Sequence, residues 1–365
     1  MKFSNLAFAP YDKDMAADAR ELFVKYTHKD HQLKMMGACK ERVANYLSET
    51  LSDPGCLSIC MSEGDRLVGL ISLQSLPWMS DHFGMQMYAV RHLLTASDGP
   101  LEHARLLRFV MEELSQVDFL DCRVAVDDIH SAHALELCGF RYVGTEMFFG
   151  IRTDQFRQGG LPEGVAVYPC SLEDRQEVLD IAGHSHVHNR FVYDPMINKT
   201  VAQSLYRKLV TKCFESRQFE VFVARSVNGI EGFITAKTNE PFSKHVGVKA
   251  GSLDFIGVRP RTRRSGIGVA LNAHALNWLK NAGTEYAAVR TLASNYAAIR
   301  TLFRSGFAVT SCSLHFHKWI QKPKMNSLSA HASAKNLMRL DTAGTGSWIQ
   351  NNRAAQATHK YQSSI

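Results

Sequence analysis

The sequence has no apolar run approaching the roughly 18 residues that a bilayer-crossing helix needs. Its opening stretch, Met1 to Pro10, also lacks the basic-then-apolar order of a secretory signal. A cytoplasmic site with no membrane partner is therefore the default expectation. The eight cysteines (Cys39, Cys56, Cys60, Cys122, Cys138, Cys170, Cys213, Cys312) never fall at C-x-x-C spacing. Scattered among apolar neighbours, they argue against a disulfide framework and against a zinc site, and they read as reduced, mostly buried thiols. Nor is there the compositional skew of a disordered or collagenous chain: 45% of residues are hydrophobic and 21% charged. A chain of 365 residues exceeds one ordinary core and predicts about two domains. The net charge of +7 suits an anionic small-molecule ligand, although charge alone would also suit weak contact with nucleic acid or an acidic membrane.

Residues 1–150 alternate between helical and strand-like segments. A helix is expected around Glu41 to Leu51, then strands at Leu57 to Met61 and Leu67 to Leu73 joined by the hairpin turn Glu63-Gly-Asp-Arg66. A helix near Glu102 to Gln116 and a strand at Cys122 to Val126 follow. Residues 151–164 are polar, with three glycines and a proline, and read as a linker. Residues 165–320 repeat the order: helices at Leu172 to Ala182 and Val201 to Cys213, strands at Phe219 to Arg225 and Gly232 to Thr238, and a strand at Gly251 to Val258. They continue with a helix at Gly266 to Asn281, a strand at Ala287 to Leu292, another helix, and a strand at Ser311 to Trp319. The expected fold class is α/β (α+β, mixed sheet) in two tandem domains. Residues 321–365, rich in Ser, Ala, Asn and Thr, read as a disordered tail.

Chemistry is concentrated after the strand Gly251-Ser-Leu-Asp-Phe-Ile-Gly-Val258. There the turn Arg259-Pro-Arg-Thr-Arg-Arg-Ser-Gly-Ile-Gly268 opens a helix. Gly266 and Gly268 let the backbone approach a ligand without Cβ collisions. Bare amides at a helix start, backed by the positive end of the dipole, form an anion site. Arg261, Arg263 and Arg264 add positive charge suited to a pyrophosphate. The stripe Leu271, Ala275, Trp278 or Leu279, and Ala282 reads as the core face of that helix.

An R-x-x-G-x-G string is weak by itself, but here a strand precedes it, an amphipathic helix follows, and Asn295-Tyr-Ala-Ala-Ile-Arg-Thr-Leu-Phe-Arg-Ser-Gly-Phe307 comes after the next strand. This order resembles the GNAT acetyltransferase superfamily over Val165 to Ile320. The resemblance implies acetyl-coenzyme A, or another acyl-coenzyme A, as co-substrate. It implies two strands splayed apart, with Phe255, Ile256, Gly257 and Val258 lining the split and a backbone N–H there polarising the thioester carbonyl. Arg263, Arg264, Ser265, Gly266, Ile267, Gly268 and Asn295 complete the implied coenzyme site, and Gly257 is expected to mark a bulge. Residues 1–150 lack the loop: Ala96-Ser-Asp-Gly-Pro-Leu-Glu-His103 has one glycine, no arginine and two acids. They read as a degenerate GNAT-like domain that shapes the acceptor pocket.

Within the superfamily the chain resembles the group containing the TDP-fucosamine acetyltransferase, through Leu76-Pro-Trp-Met-Ser-Asp-His-Phe-Gly84, Asn189-Arg-Phe-Val-Tyr-Asp-Pro195 and Leu314-His-Phe-His-Lys-Trp319. This implies direct attack by a primary amine, that of a nucleotide-linked amino sugar, in a ternary complex, with Arg190 and Asp194 as substrate candidates. A protein or peptide amine, or a non-catalytic coenzyme A sensor, are the rival readings; no nucleic acid is expected. The tyrosine that the superfamily carries seven residues after the motif asparagine is replaced by Leu302, so the general acid is unassigned, with Asp254 and Tyr296 as substitutes. His184, His186 and His188 alternate, but no outlying ligand supports a metal. His315 and His317 share one strand face, which reads as exposed.

Overall fold

The computed structural model describes residues 6–157, 159–185 and 189–321. In the first half the order is β1 (Leu6–Pro10), α1 (Ala16–Lys25), α2 (Asp30–Met36), α3 (Lys40–Glu49), β2 (Cys56–Glu63), β3 (Arg66–Ser75), α4 (Pro77–Phe83), β4 (Met87–Thr95), α5 (Pro100–Glu113), β5 (Phe119–Ala125), α6 (Ile129–Leu137) and β6 (Arg141–Arg152). The second half repeats it element for element: β7 (Ala166–Pro169), α7 (Arg175–Ser185), α8 (Arg190–Tyr193), α9 (Lys199–Glu215), β8 (Phe219–Ser226), β9 (Gly229–Thr238), α10 (Glu240–Val246), β10 (Ala250–Val258), α11 (Ile267–Asn281), β11 (Tyr286–Leu292), α12 (Tyr296–Arg304) and β12 (Ala308–Trp319).

All these strands join one mixed sheet in the order β1-β2-β3-β4-β5-β12-β6-β11-β10-β9-β8-β7. That order reads the same from both ends, because the two halves exchange their last strands. β6 of the first half lies against β11, where Arg290 faces Phe148 and Leu292 faces Glu146. β12 of the second lies against β5, where His315 faces Arg123 and His317 faces Asp121. The two exchanged strands pair with each other at the centre. Residues 151–164 begin as the last two residues of β6, so part of the linker stretch is strand.

Helix α11 forms because Ile267, Ala270, Leu271, Ala275, Leu276 and Leu279 recur on one face, and all are buried against the sheet. Ala282 is exposed, so the apolar stripe stops at Leu279, short of the turn made by Gly283 at φ 78°. The opposite sheet face is covered by α7 and α9, whose Val178, Ile181, Val210 and Cys213 pack on Val221, Val223 and Phe233. The cysteines are all free, but fewer are buried than their apolar neighbours suggest: Cys39 is exposed, and Cys56, Cys170 and Cys312 are half-buried.

Candidate functional site

Strands β10 and β11 run parallel only from Ala250–Tyr286 to Leu253–Val289. β10 then continues to Val258 paired on its other side with β9, so a cleft opens between it and β11. The register with β9 shifts between Leu253 and Ile256, which places the bulge at Asp254 and Phe255 and not at Gly257. Glycine is needed at 257 for close packing: a Cβ there would lie 2.7 Å from Phe233 Cε1 and 2.9 Å from Ser185 Oγ. The Phe255 amide donates to Thr235 Oγ1 at 3.0 Å, which holds the bulge in place.

Beyond the cleft, Arg264 at φ 70° and Gly266 at φ 90° turn the chain into α11. The amide of Ala270 donates to Gly266 O at 3.0 Å. Those of residues 266–269 precede the first helical hydrogen bond and are the unsatisfied donors of a helix start. Gly268 is confined, since a Cβ would come within 3.1 Å of Thr301 Cγ2 on α12. Arg263, Arg264 and Ser265 are exposed around these amides. Arg261 does not join them as a spare charge, because Glu231 takes it at 3.1 Å, and Arg259 is likewise held by Glu177 at 3.0 Å. Burial raises the Glu231 carboxyl, yet Arg261 and Ser226 pull it below its ordinary value.

The first half has a matching cleft but a different helix start. β4 and β5 pair only from Met87–Phe119 to Val90–Cys122. However, α5 starts with Pro100, which has no amide to offer, and the Glu102 carboxylate sits over the first turn, 3.2 Å from Ser97 Oγ. His103 Nδ1 lies 3.0 Å from Gly99 O.

Asn295 caps α12: its Oδ1 accepts from the Ala298 amide at 3.3 Å, and its Nδ2 donates to Thr291 Oγ1 at 3.1 Å. Leu302 is buried in the core beside Ile267 and Leu271. Tyr296 is 70% exposed on the first turn of α12. Asp254 accepts from Ser252 Oγ at 3.0 Å and pairs with Lys237 at 3.3 Å.

On the sheet face opposite α11 lies a cluster that sequence reading did not assemble. His315 and His317 are 3% and 2% exposed, which overturns the exposed-face expectation; strand exchange puts them at the centre of the sheet. His317 Nδ1 lies 2.8 Å from Asp194 Oδ2, which also accepts from Trp319 Nε1 at 3.2 Å. Arg190 clasps Asp121 through Nη2 at 2.6 Å and Nε at 3.1 Å. Both proposed substrate residues, Arg190 and Asp194, are thus held by groups of this chain.

Glu146 accepts from Arg123 Nη1 at 3.1 Å, lies 3.2 Å from His315 Nε2, and faces Arg290 Nη1 at 3.8 Å, all at Oε2. Burial works against its charge, but Arg290, His315 and Arg123 hold its pKa well below the usual carboxylate range. Burial lowers His315, against the pull of Glu146. Tyr206 of α9 feels the charges of Arg190, Glu146 and Arg290, and its ring meets Phe255 edge-on at 5.8 Å, so this cluster borders the cleft.

Glu146, Arg290, Asp121, Arg123 and Tyr206 were missed because each sits alone in an apolar or ordinary stretch. The available signal was a carboxylate inside the strand pattern Val143-Gly-Thr-Glu-Met-Phe-Phe149. His184 is exposed at the end of α7, with Nδ1 2.7 Å from Asp180 O. His186 and His188 lie outside the described residues, as does the tail from residue 322. Among the described residues no three His, Cys, Asp or Glu side chains gather as metal ligands, and no helix is long and apolar enough to cross a membrane.

Residues 193–307 match the model of the Acetyltransferase (GNAT) family, a span from the end of α8 to the turn after α12. A curated relative, the spore coat polysaccharide biosynthesis protein SpsD of Bacillus subtilis (strain 168), is 21% identical over 77% of this chain and 95% of its own length. Among solved structures, a GCN5-related N-acetyltransferase from Sphaerobacter thermophilus superposes with a TM-score of 0.59 at 13% identity, over 87% of this chain and 96% of that one. A tandem GNAT protein from the clavulanic acid biosynthesis pathway superposes at 0.53 and 12% identity, over 87% and 99%. Both likenesses concern the fold.

Proposed function

We propose that this chain, whose residues 193–307 match the Acetyltransferase (GNAT) family model, transfers an acetyl group from acetyl-coenzyme A to the primary amine of a sugar-related small molecule. The observation that carries the reading is the junction of cleft and helix start. β10 parts from β11 after Leu253 and runs five more residues to Val258, from which the turn 259–266 leads to the bare amides of α11. A thioester arm laid in the cleft would add its amides to strand edges, as an extra strand does, and its phosphates would meet the amides of Gly266 to Val269 with Arg263 and Arg264 alongside.

An amine entering from the opposite sheet face would meet Tyr206, Arg290 and Glu146. Polar side chains on that face suit a hydroxyl-rich acceptor, and the relative named for spore coat polysaccharide biosynthesis supports a sugar. Attack is direct, by the amine on the thioester carbonyl, in a ternary complex.

The test has two parts. Replacing Gly266 and Gly268 together by Glu should abolish acetyl-coenzyme A binding in a calorimeter, and unchanged affinity would refute the site. Release of free thiol from acetyl-coenzyme A should depend on an added amino sugar; intact binding with no amine acetylated would overturn the transferase reading.

A further inference from the structure

We infer that Arg290 is a specificity residue of the acceptor side: it binds an acidic group, a carboxylate or a phosphate, carried by the acceptor. The inference rests on the acyl-transfer reading above and narrows its acceptor from a sugar-related amine to an anionic one.

Arg290 stands at the threshold of the cleft. β10 and β11 stop pairing at Leu253–Val289, and Arg290 is the next residue of β11. Its side chain turns to the sheet face opposite α11, where Nη1 faces Glu146 Oε2. Two helices frame that spot. Tyr206 of α9 feels the charge of Arg290 and meets Phe255 of β10 edge-on. Tyr193, the last residue of α8, has its hydroxyl 3.3 Å from Ser294 Oγ, just past the end of β11. Within this frame 45% of the Arg290 side chain is exposed, and Tyr193 is 41% exposed, so the guanidinium is open to a ligand from solvent.

The two other guanidiniums on this face are each held by a carboxylate. Arg190 grips Asp121 through two nitrogens, and Arg123 donates to Glu146 at 3.1 Å. Arg290 has only a 3.8 Å approach to Glu146, beyond hydrogen-bond reach, at an oxygen that Arg123 and His315 already meet. Among the described residues its guanidinium makes no hydrogen bond.

The position is unfavourable for an arginine that serves only solubility. Burial and the charge of Arg290 both lower the pKa of Arg123, so the two guanidiniums repel each other across one carboxylate. A carboxylate or phosphate bound to Arg290 would offset that repulsion. The planar fork of donors matches either group through two parallel hydrogen bonds. The hydroxyls of a neutral sugar bring no charge to do the same.

The experiment measures acetyl transfer by the full chain, by Arg290→Gln and by Arg290→Lys. The amines are glucosamine, its phosphate esters, a nucleotide-linked amino sugar and the corresponding amino uronic acid. The unaltered protein should favour an anionic amine over glucosamine by about tenfold or more in kcat/KM, and the member it favours tells phosphate from carboxylate. Arg290→Gln should remove that preference, with a loss of roughly ten- to a hundredfold on the anionic amine, carried by KM, the scale of one charged hydrogen bond. Glucosamine should lose far less. Arg290→Lys should restore part of the preference, through charge without the fork. Acetyl-coenzyme A affinity, measured alongside, should stay at the parent value and so show that each variant is folded.

Equal kcat/KM for neutral and anionic amines in the unaltered protein, or an equal loss on both in Arg290→Gln, would overturn the assignment and leave the acyl-transfer reading standing. Intact coenzyme binding with no amine acetylated by the unaltered protein would overturn that reading, and this inference with it.

Discussion

Arg190 of α8 clasps Asp121 of β5 through two nitrogens, at 2.6 and 3.1 Å, and so ties a helix of the second half to a strand of the first. Asp121 also faces His317 of the exchanged strand at 3.7 Å. The pair is nearly closed to solvent, with side-chain exposures of 27% for Arg190 and 10% for Asp121. Removing one partner leaves an uncompensated charge. Asp121→Ala should cost about 3 kcal/mol of unfolding free energy, at the low end for a buried pair because Arg190 keeps some access to water. Urea unfolding checks this, and an unchanged midpoint would show that the clasp is not a stabilising joint.

Acid should loosen the same region. Burial raises the Asp121 carboxyl, but Arg190, His317 and His315 bring it down to about 2. A carboxyl whose pKa is depressed on folding gives stability that is present above its unfolded value, near 4, and is lost as pH falls towards 2; a shift of about two units is worth roughly 2 to 3 kcal/mol. His315, lowered by burial, adds a loss that begins as pH drops through the ordinary histidine value. Stability measured by urea at a series of pH values should therefore fall below neutral pH and fall more steeply below about 4. A flat profile from neutral pH to acid would contradict both placements.

Arg263 and Arg264 are the exposed cations beside the start of α11, since Arg259 and Arg261 are already held by carboxylates. Replacing both by Ala should weaken acetyl-coenzyme A binding, with about a tenfold loss for each charged hydrogen bond removed. The dependence of affinity on salt should become shallower as well. Arg261→Ala should act differently: Glu231, 1% exposed, loses its partner, so the cost should be seen first in stability. Calorimetry at two salt concentrations, with thermal unfolding alongside, separates the two classes.

Much of the fold is legible in the sequence because it is written in local chemistry. The short apolar run Leu67 to Leu73, the buried stripe of α11 and the glycines before it each specify their own element without reference to distant residues. The repeat of one element order in both halves is legible for the same reason. Strand exchange is not: whether β6 pairs with its own half or with β11 depends on long-range register, which no local period encodes. That gap explains the misreading of His315 and His317, whose alternation is that of an exposed edge unless β5 and β6 are known to flank them. It also explains why Glu146 went unseen as a neighbour of a cleft more than a hundred residues later in the chain.

Gly257 gives a packing test of the cleft wall. An added Cβ would press on Phe233 at 2.7 Å, on Ser185 at 2.9 Å and on Ile181 at 3.0 Å, from two different elements, so no single side chain can yield. Gly257→Ala should destabilise by about 1 to 3 kcal/mol, the usual range for overpacking. Because β10 would have to shift away from α7, coenzyme affinity should fall with it. A variant as stable as the parent and with unaltered affinity would mean that the wall is more compliant than its contacts indicate.

Leu302 tests whether a missing tyrosine can simply be put back. Position 302 faces the core: Leu302 is 4% exposed and packs with Ile267, Leu271 and Phe307. A tyrosine there would need room for a ring and a partner for its hydroxyl, and the apolar neighbours offer neither. Leu302→Tyr should therefore lose about 1 to 3 kcal/mol of stability without gaining turnover. Tyr206, by contrast, already reaches the cleft through Phe255. If Leu302→Tyr instead raised kcat and left the unfolding midpoint in place, α12 would have to rotate its buried face towards the cleft. The Asn295 cap, which fixes that helix through Ala298 and Thr291, would then be broken in solution.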